Sequence, residues 1–537
     1  MEKRSHSSGF DSSGNVCKFA RHKMKSPAPA IALSLLFAAN LFAAKDVYRP
    51  MAVQPPDLPR EFRGAWITEV ASNADWPSQP GLSATEQKAE LIALLDHAVQ
   101  LHLNAIIFQV RPSADAVYAS AIEPWSEYLT GVQGRPPAPY YDPLAFAIQE
   151  AHKRGLELHA WFNPFRVRLA SAKSPPAWND VIRTHPGFIR QYGDLTWLDP
   201  GDPAARAYVL SIVLDVVKRY DVDGVQFDDY FYPYPQTDAE GRPIEFPDYA
   251  TWKKYGEPMH LSRADWRRAN INRFIYGAYL SIKTEKPWVK FGVSPFGIWR
   301  PGYPPQIRGL DAYSSLSADS RLWLASGWVD YLSPQLSWAI ASPQQSFPVL
   351  LDWWEEQNIK GRALWPGLSA AYVGRDFSAD EIARQVQIVR ETPGVNGEIY
   401  FHLKNLIENN ELNSLVRAAN KNSALVPAMP WLSTSVPDQP VLSVTKETIT
   451  NLTFHWEPAA GESPKFWVLQ YLGTNQVWTS EICPGIQSGC AFSTFRPGVV
   501  SIRALDDYEN LSPAAVLGKF VVPTPIHRIG KGMLITQ

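Results

Sequence analysis

Two adjacent carboxylates, Asp228 and Asp229, close a strand-like run inside DGVQFDDYFYP, which spans Asp223 to Pro233. Val222 to Phe227 reads as a short buried strand, and aromatic residues follow the carboxylates at once. Side chains alternate faces along a strand. Val225 and Phe227 therefore share one face, and Gly224, Gln226 and Asp228 share the other. In a parallel barrel the apolar face meets the outer helices while the other fills the interior. That parity puts Asp228 inside, at the C-terminal mouth where such barrels carry their chemistry. A carboxyl group there suits general acid or base work. Tyr230, Phe231 and Tyr232 beside it offer flat faces with polar handles, which suit a sugar ring. A surface Asp-Asp turn that merely closes a strand is the plain alternative.

The elements that must hold such a site follow from periodicity and caps. Strand-like stretches lie at 62–69, 104–110, 156–162, 222–228, 289–295, 329–336, 362–368 and 397–403. Ser83, with Glu86 completing a capping box, opens an amphipathic run over 83–101. Asp142 before Pro143, and Asp202 before Pro203, put an N-cap and an N1 proline at the starts of 143–154 and 203–220. Further helices are predicted at 262–284, 345–358, 379–391 and 404–420. Strands alternating with helices in this way predict an α/β fold, a (β/α)8 TIM barrel over 61–420. A doubly wound open sheet is the other reading, but no GxGxxG follows any strand, so no nucleotide cofactor is expected.

The same parity turns Glu157, His159, Trp161 and Asn163 inward on the third strand. Gln109 and Arg111 share a face at the end of the second, and Glu398, Tyr400 and His402 share one on the eighth. Glu157 and Glu398 come early in their strands and read as structural charges. Two carboxyl groups usually share the hydrolysis of a glycosidic bond, so Asp228 needs a partner. Asp229 is adjacent, although successive strand residues point to opposite faces. Glu69 and Asp115, at the ends of the first two strands, are the other candidates. The loops QVRPSADAVYAS, WFNPFRVR, DDYFYPYP, SPFGIWRPGY, SPQLSW and WPGLSAAY mix amide and charged groups with rings. Such a mouth stacks on sugar faces and bonds hydroxyls. The predicted substrate contacts are Trp66, Gln109, Arg111, Trp161, Asn163 and Arg166 from the first half of the barrel. Tyr230, Tyr232, Trp299, Gln335, Trp338 and Trp365 complete them. No metal-ligand cluster stands in the sequence, so no metal or other cofactor is expected, and without a GxSxG elbow an α/β-hydrolase esterase is not expected either.

The 537 residues are 45% hydrophobic and 19% charged, the composition of a globular protein. A formal net charge of -2 leaves no basic surplus for phosphates, so nucleic acid is not an expected partner. Arg21, Lys23 and Lys25 precede an apolar run from Ala30 to Phe42, then Ala43 and Ala44, the order of a secretory signal peptide. Residues 1–44 are read as an upstream extension and signal, with Met24 the more ordinary start; an uncleaved anchor helix is the alternative. Residues 45–60 form a Pro-rich lead-in and 421–437 a Pro-rich linker. Short alternating strands over 438–523 predict a small all-β sandwich, followed by a tail at 524–537. VSIRALDDYENLSPAAVL resembles the last strands of a fibronectin type III module. A chain ending near Ala428 is expected to fold and keep its activity. Cys483 and Cys490 flank PGIQSG, and in an exported chain they are expected to form a disulfide. Cys17 lies ahead of the signal.

RGAWITEV (63–70), DWPS (75–78), FQVRPSADAVY (108–118), PWSEYLTGVQG (124–134), HAWFNPFR (159–166) and LDPGDPAAR (198–206) occur in that order. DGVQFDDYFYP, SPFGIWR (294–300), DYLSPQLSW (330–338) and WPGL (365–368) follow. As a set they resemble the bacterial glycosyl-hydrolase-10-like family. The resemblance implies an exported TIM-barrel glycosidase of the cell envelope, often with a trailing sandwich domain. It places the best catalytic carboxylate at Asp228 or Asp229. Some relatives act on peptidoglycan glycan strands. Many begin with a lipid-anchor Cys, which does not follow the apolar run here. The expected function is hydrolysis of O-glycosidic bonds in a cell-envelope polysaccharide, peptidoglycan glycan included. A non-catalytic glycan-binding protein on the same fold, and a structural adhesin, are the alternatives; a second carboxyl within reach of Asp228 separates them. The signal pattern predicts a mature chain that begins near Lys45 without lipid, which N-terminal sequencing of the secreted protein would show; a retained Met1 or an acylated residue would refute it.

Overall fold

Short apolar stretches become strands here because β-branched and aromatic side chains fit a surface covered on both faces. In the computed structural model, which describes residues 46–69, 74–448 and 451–521, they form a ring. Its members are β1 (Phe62–Ile67), β2 (Ala105–Arg111), β3 (Glu157–Phe162) and β4 (Gly224–Phe227). Then come β5 (Lys290–Val293), β6 (Tyr331–Leu332), β7 in two pieces (Ala363–Leu364 and Gly367–Leu368) and β8 (Gly397–Tyr400). Neighbours pair in parallel. The ring closes because one piece of β7 pairs with β6 and the other with β8, which pairs with β1. The fold is a (β/α)8 barrel. The expected signal and tail lie outside the described residues.

The capped helices form as predicted: Ala84–Gln100 with its Ser83–Glu86 capping box, Pro143–His152 behind Asp142, and Pro203–Arg219 behind Asp202. The helix expected over 404–420 is two, Leu403–Glu408 and Asn410–Ala419, because the Asn409 side chain caps a fresh start by accepting from Leu412 N. A small sheet of Arg166–Arg168, Ile189–Tyr192 and Leu195–Leu198, not foreseen from the sequence, follows β3 at the mouth.

Phe62, Trp66, Ile107, Trp161, Tyr331, Trp365 and Ile399 fill the barrel, with Phe62 stacked on Trp365 at 3.7 Å. The inward residue on β8 is thus Ile399, not Glu398 or Tyr400. Glu398 is buried on the other face, near Glu61, Arg390 and Arg63. A bulge in β2 also turns Arg111 away from the interior. Gln109 stays level with inward Trp161, but Arg111 is level with Phe162, which packs against the helices.

The C-terminal region is a two-sheet sandwich. Five strands make one sheet, and its edge is Asp46–Pro50 from the expected lead-in, antiparallel to Ala515–Val521. Val441–Glu447, Leu452–Glu457 and Gly489–Phe492 make the other. The structure does not join Cys483 and Cys490 in the expected disulfide. The residues between them carry the chain from the five-stranded sheet to the three-stranded one, instead of closing a short bridged loop.

The sandwich is anchored in the barrel floor. Leu425, Val426 and Met429 of the expected linker are buried, and Trp431 Nε1 donates to Asp330 at 2.9 Å. Lys465 of the sandwich pairs with Glu157, with Asp223 at 2.9 Å and with Glu509 at 2.8 Å. Lys290 of β5 reaches Glu157 at 2.7 Å. Burial alone would raise Glu157, but Lys290 and Lys465 hold it well below the usual carboxylate range. Burial pushes Glu509 up to about 8 despite the same two lysines. With Glu509 protonated, Lys290 and Lys465 face the carboxylates Glu157 and Asp223, and His152 also bonds Asp223 at 2.9 Å. Lys465→Met would strand a buried carboxylate and should cost about 3–5 kcal/mol in chemical denaturation. Truncation near Ala428 should be destabilising for the same reason. Glu509 binds its proton more tightly folded than unfolded, so its contribution is full at low pH and is lost as pH rises through about 8. Denaturation of Glu509→Gln between pH 5 and 8.5 should lack that decline; an unchanged slope would show that Glu509 is not the titrating group.

Candidate active site

Asp228 directly follows β4, and both it and Asp229 are buried. Together with Trp66, Trp161, Gln226, Tyr230, Ser294 and Gln335 they line a cavity of about 280 Å³ at the barrel mouth; Ser337, Gly367, Ser369, Tyr372 and Phe401 complete it. Asn163 Nδ2 donates to Asp228 Oδ2. Asn163 is itself fixed, because its Oδ1 accepts from Gln109 Nε2 at 2.7 Å and from Arg166 at 2.9 Å. The other oxygen of Asp228, Oδ1, is buried and has no partner. Asp229 accepts from the Tyr234 hydroxyl and from Gln335 Nε2, the latter at 3.1 Å. The strand ends at Phe227, so the strict alternation of faces no longer separates the two carboxyls.

Burial pushes both carboxyls above the usual carboxylate range, Asp228 well above it because the charge on Asp229 adds to the effect. Arg166 opposes the rise at both. Trp161 opposes it at Asp228 too, although its Nε1 completes no hydrogen bond. Asp229 has two side-chain donors; Asp228 has the Asn163 amide, and the Tyr230 backbone N–H also favours its charged form. Two carboxyls this close favour a state in which one keeps its proton, and the larger rise is at Asp228. Such a pair supplies a proton donor and an anion in one cavity.

Of the residues predicted from sequence, Trp66, Trp161, Tyr230, Gln335, Asp228 and Asp229 meet in this cavity. Gln109, Asn163 and Arg166 support it from behind, with the Arg166 guanidinium 5.3 Å from the Tyr230 ring centre. Trp338 lines an adjoining compartment of about 580 Å³ that shares Gln335, Ser337 and Tyr372 with the cavity. The others lie elsewhere. Arg111 makes a fully buried two-pronged pair with Glu123 at 2.6 and 2.7 Å and touches the site only through the Asn163 carbonyl. Tyr232 packs on Phe246 beneath Arg267, and Trp299 stacks on Trp353 with its Nε1 on Asp319. Trp365 is inside the barrel, its Nε1 on Asn396.

Glu69 and Asp115 do not line the Asp228 cavity. Glu69 borders a separate pocket of about 450 Å³ with Pro77, Glu127, Tyr128 and Lys173. Burial and Asp115 push Glu69 well up, and burial with Glu123 pushes Asp115 up to about 8. The Glu69 backbone N–H donates to Gln109 Oε1, behind the cavity, at 2.8 Å. Sequence reasoning did not select Tyr234, Ser294, Tyr372 or Phe401. Tyr234 was within reach of it, because it belongs to the same DDYFYPYP run.

Residues 61–382 match the family described as Glycosyl hydrolase-like 10. The chain is 42% identical over 409 residues to Glycosyl hydrolase YngK of Bacillus subtilis (strain 168), across 73% of this chain and 78% of that one. It is 36% identical over 417 residues to Glycosyl hydrolase DigH of Escherichia coli (strain K12), across 70% and 92%. Among solved structures, the PgaB (BpsB) glycoside hydrolase domain from Bordetella bronchiseptica aligns with a TM-score of 0.44 and 14% identity, covering 67% of this chain and 98% of that one.

Tyr234 donates to the charged form of Asp229, so its hydroxyl favours ionisation. Tyr234→Phe should raise the pH at which the pair titrates, read by carboxyl carbon NMR of labelled aspartate. An unmoved titration would show that the hydroxyl does not set the charge on Asp229.

Proposed function

The chain belongs to the glycosyl hydrolase-like 10 family, and from that premise we propose that it hydrolyses O-glycosidic bonds in a cell-envelope polysaccharide outside the cytoplasm. Glycan strands of peptidoglycan are the proposed substrate. One observation carries the reading: Asp228, buried at the end of β4 with its carboxyl pushed well above the usual range, has an oxygen without a partner and lines a cavity walled by Trp66, Trp161 and Tyr230. The names of two relatives as glycosyl hydrolases support the reaction class. The charged, apolar and small residues between Arg21 and Ala44 support the location.

In this reading Asp228 gives its proton to the glycosidic oxygen as the bond breaks, so the leaving group departs as an alcohol; water then forms the new bond to the anomeric carbon and gives up a proton to the Asp228 carboxylate. Asp229, the anion of the pair, supplies the negative charge that an oxocarbenium-like transition state requires. Gln335 and Tyr234 hold Asp229 in place, and Asn163 holds Asp228. Indole and phenol faces bind the ring and keep water from competing for the polar groups.

Asp228→Asn keeps the size of the side chain and removes the proton that matters. Release of reducing ends from purified glycan strands should fall by at least ~100-fold, the usual worth of a positioned acid. The variant should fold, with an unchanged melting profile. Near-normal turnover by folded Asp228→Asn on a substrate that the parent demonstrably cleaves would end this assignment. Failure of the parent on a panel of cell-wall glycans would instead reject the substrate.

A further inference from the structure

A chain of hydrogen bonds climbs the inside of the barrel from the floor to the cavity. Glu157 Oε1 accepts from Lys290 and Lys465, while its Oε2 faces His159 Nε2 at 3.0 Å. His159 Nδ1 faces the Tyr331 hydroxyl at 3.0 Å, and that hydroxyl faces Gln226 Oε1 at 3.3 Å. Gln226 Nε2 is buried without a partner, and Gln226 lines the Asp228 cavity. The two rings are seated where β-carbons are missing. A Cβ on Gly224 would lie 2.5 Å from the His159 ring, and one on Gly292 would lie 2.0 Å from the Tyr331 ring.

The protons in this chain can run in one direction only. A carboxylate accepts and never donates, so the ring nitrogen facing Glu157 carries hydrogen. Burial lowers the affinity of His159 for a second proton, so its ring is neutral and Nδ1 is a bare acceptor. Tyr331 must give its single hydroxyl hydrogen to Nδ1, and its oxygen is then left to accept. With Oε1 of Gln226 toward Tyr331, two acceptors would face each other while an N–H pair stayed buried and unused. A half-turn of the amide exchanges its nitrogen and oxygen and moves no other atom.

We infer that Gln226 donates through Nε2 to Tyr331 and presents its carbonyl oxygen to the cavity as a fixed acceptor for a hydroxyl of the sugar bound beside Asp228. The ligand named here rests on the glycosidase reading; the orientation of the amide does not. His159 and Tyr331 are positioning residues for Gln226. The charge that sets the direction sits on Glu157, which Lys465 of the sandwich helps to hold.

The test is spectroscopic and needs no substrate. In protein carrying ¹⁵N-histidine, the His159 signal, identified by its loss in His159→Gln or by its contact with Tyr331, should show a protonated Nε2 and a bare Nδ1. The Gln226 side-chain NH2, assigned through Gln226→Glu, should exchange slowly with solvent. Tyr331→Phe removes only the hydroxyl and should speed that exchange about 10-fold, the scale of one lost hydrogen bond. A His159 protonated at Nδ1, or a wild-type Gln226 NH2 that exchanges like an exposed amide, overturns the inference. Should Tyr331→Phe not fold, the two wild-type measurements decide it alone. Loss of the glycosidase reading would leave both readouts standing.

Discussion

A buried carboxylate on the barrel axis, Glu157, sets the terms for much of this molecule. An anion inside a dry barrel is tolerated only when cations and donors surround it. Lys290 comes from β5, His159 from the same strand, and Lys465 from the sandwich. The barrel therefore cannot complete its own floor, and the sandwich is part of the barrel's charge balance. The apolar contacts agree with this. Leu425, Phe466, Val468 and Leu505 form one small core where the segment after the last barrel helix meets the sandwich.

The opposite end of the barrel carries the opposite electrostatic problem. Asp228 and Asp229 are like charges with little water and one guanidinium, Arg166, nearby. Two ionised carboxyls in such a place repel, so one keeps its proton. The larger rise is at Asp228, which has the Asn163 amide and an oxygen left over, while Tyr234 and Gln335 both serve Asp229. A group poised to give a proton thus stands beside a group poised to hold negative charge. The supports are themselves anchored. Asn163 is braced by Gln109 and Arg166, and its backbone carbonyl by the Arg111–Glu123 pair.

Much of the barrel is legible in the chain, because caps and strand periodicity are local properties. Ser83 with Glu86, Asp142 before Pro143 and Asp202 before Pro203 mark helix starts that the structure reproduces. Parity also carries Asp228, Gln226, Trp161 and Asn163 to the mouth or interior. It fails where the strand is not regular. The bulge after Gln109 sends Arg111 outward, and β8 buries Glu398 on the helix side, where it accepts from the Tyr400 hydroxyl and burial pushes its carboxyl up to about 8. Aromatic loops mislead for a related reason. Tyr232 and Trp299 have the chemistry of sugar platforms but serve as packing, and only neighbours distant in sequence, Phe246 and Trp353, reveal it.

The sequence by itself determined the order of strands and helices, the position of the Asp pair at the end of β4, and the aromatic character of the mouth. Each depends on residues within a few positions of one another. Tertiary structure alone decided which carboxyls meet. Glu69 and Asp115 follow their strands as Asp228 follows its own, yet neither lines its cavity, and Glu69 borders a different pocket. It also decided that the presumed linker and sandwich close the barrel, since Lys465 finds Glu157 across 308 residues of chain. Charge pairing and cavity shape are properties of approach in space, and no local pattern encodes which distant residues will approach.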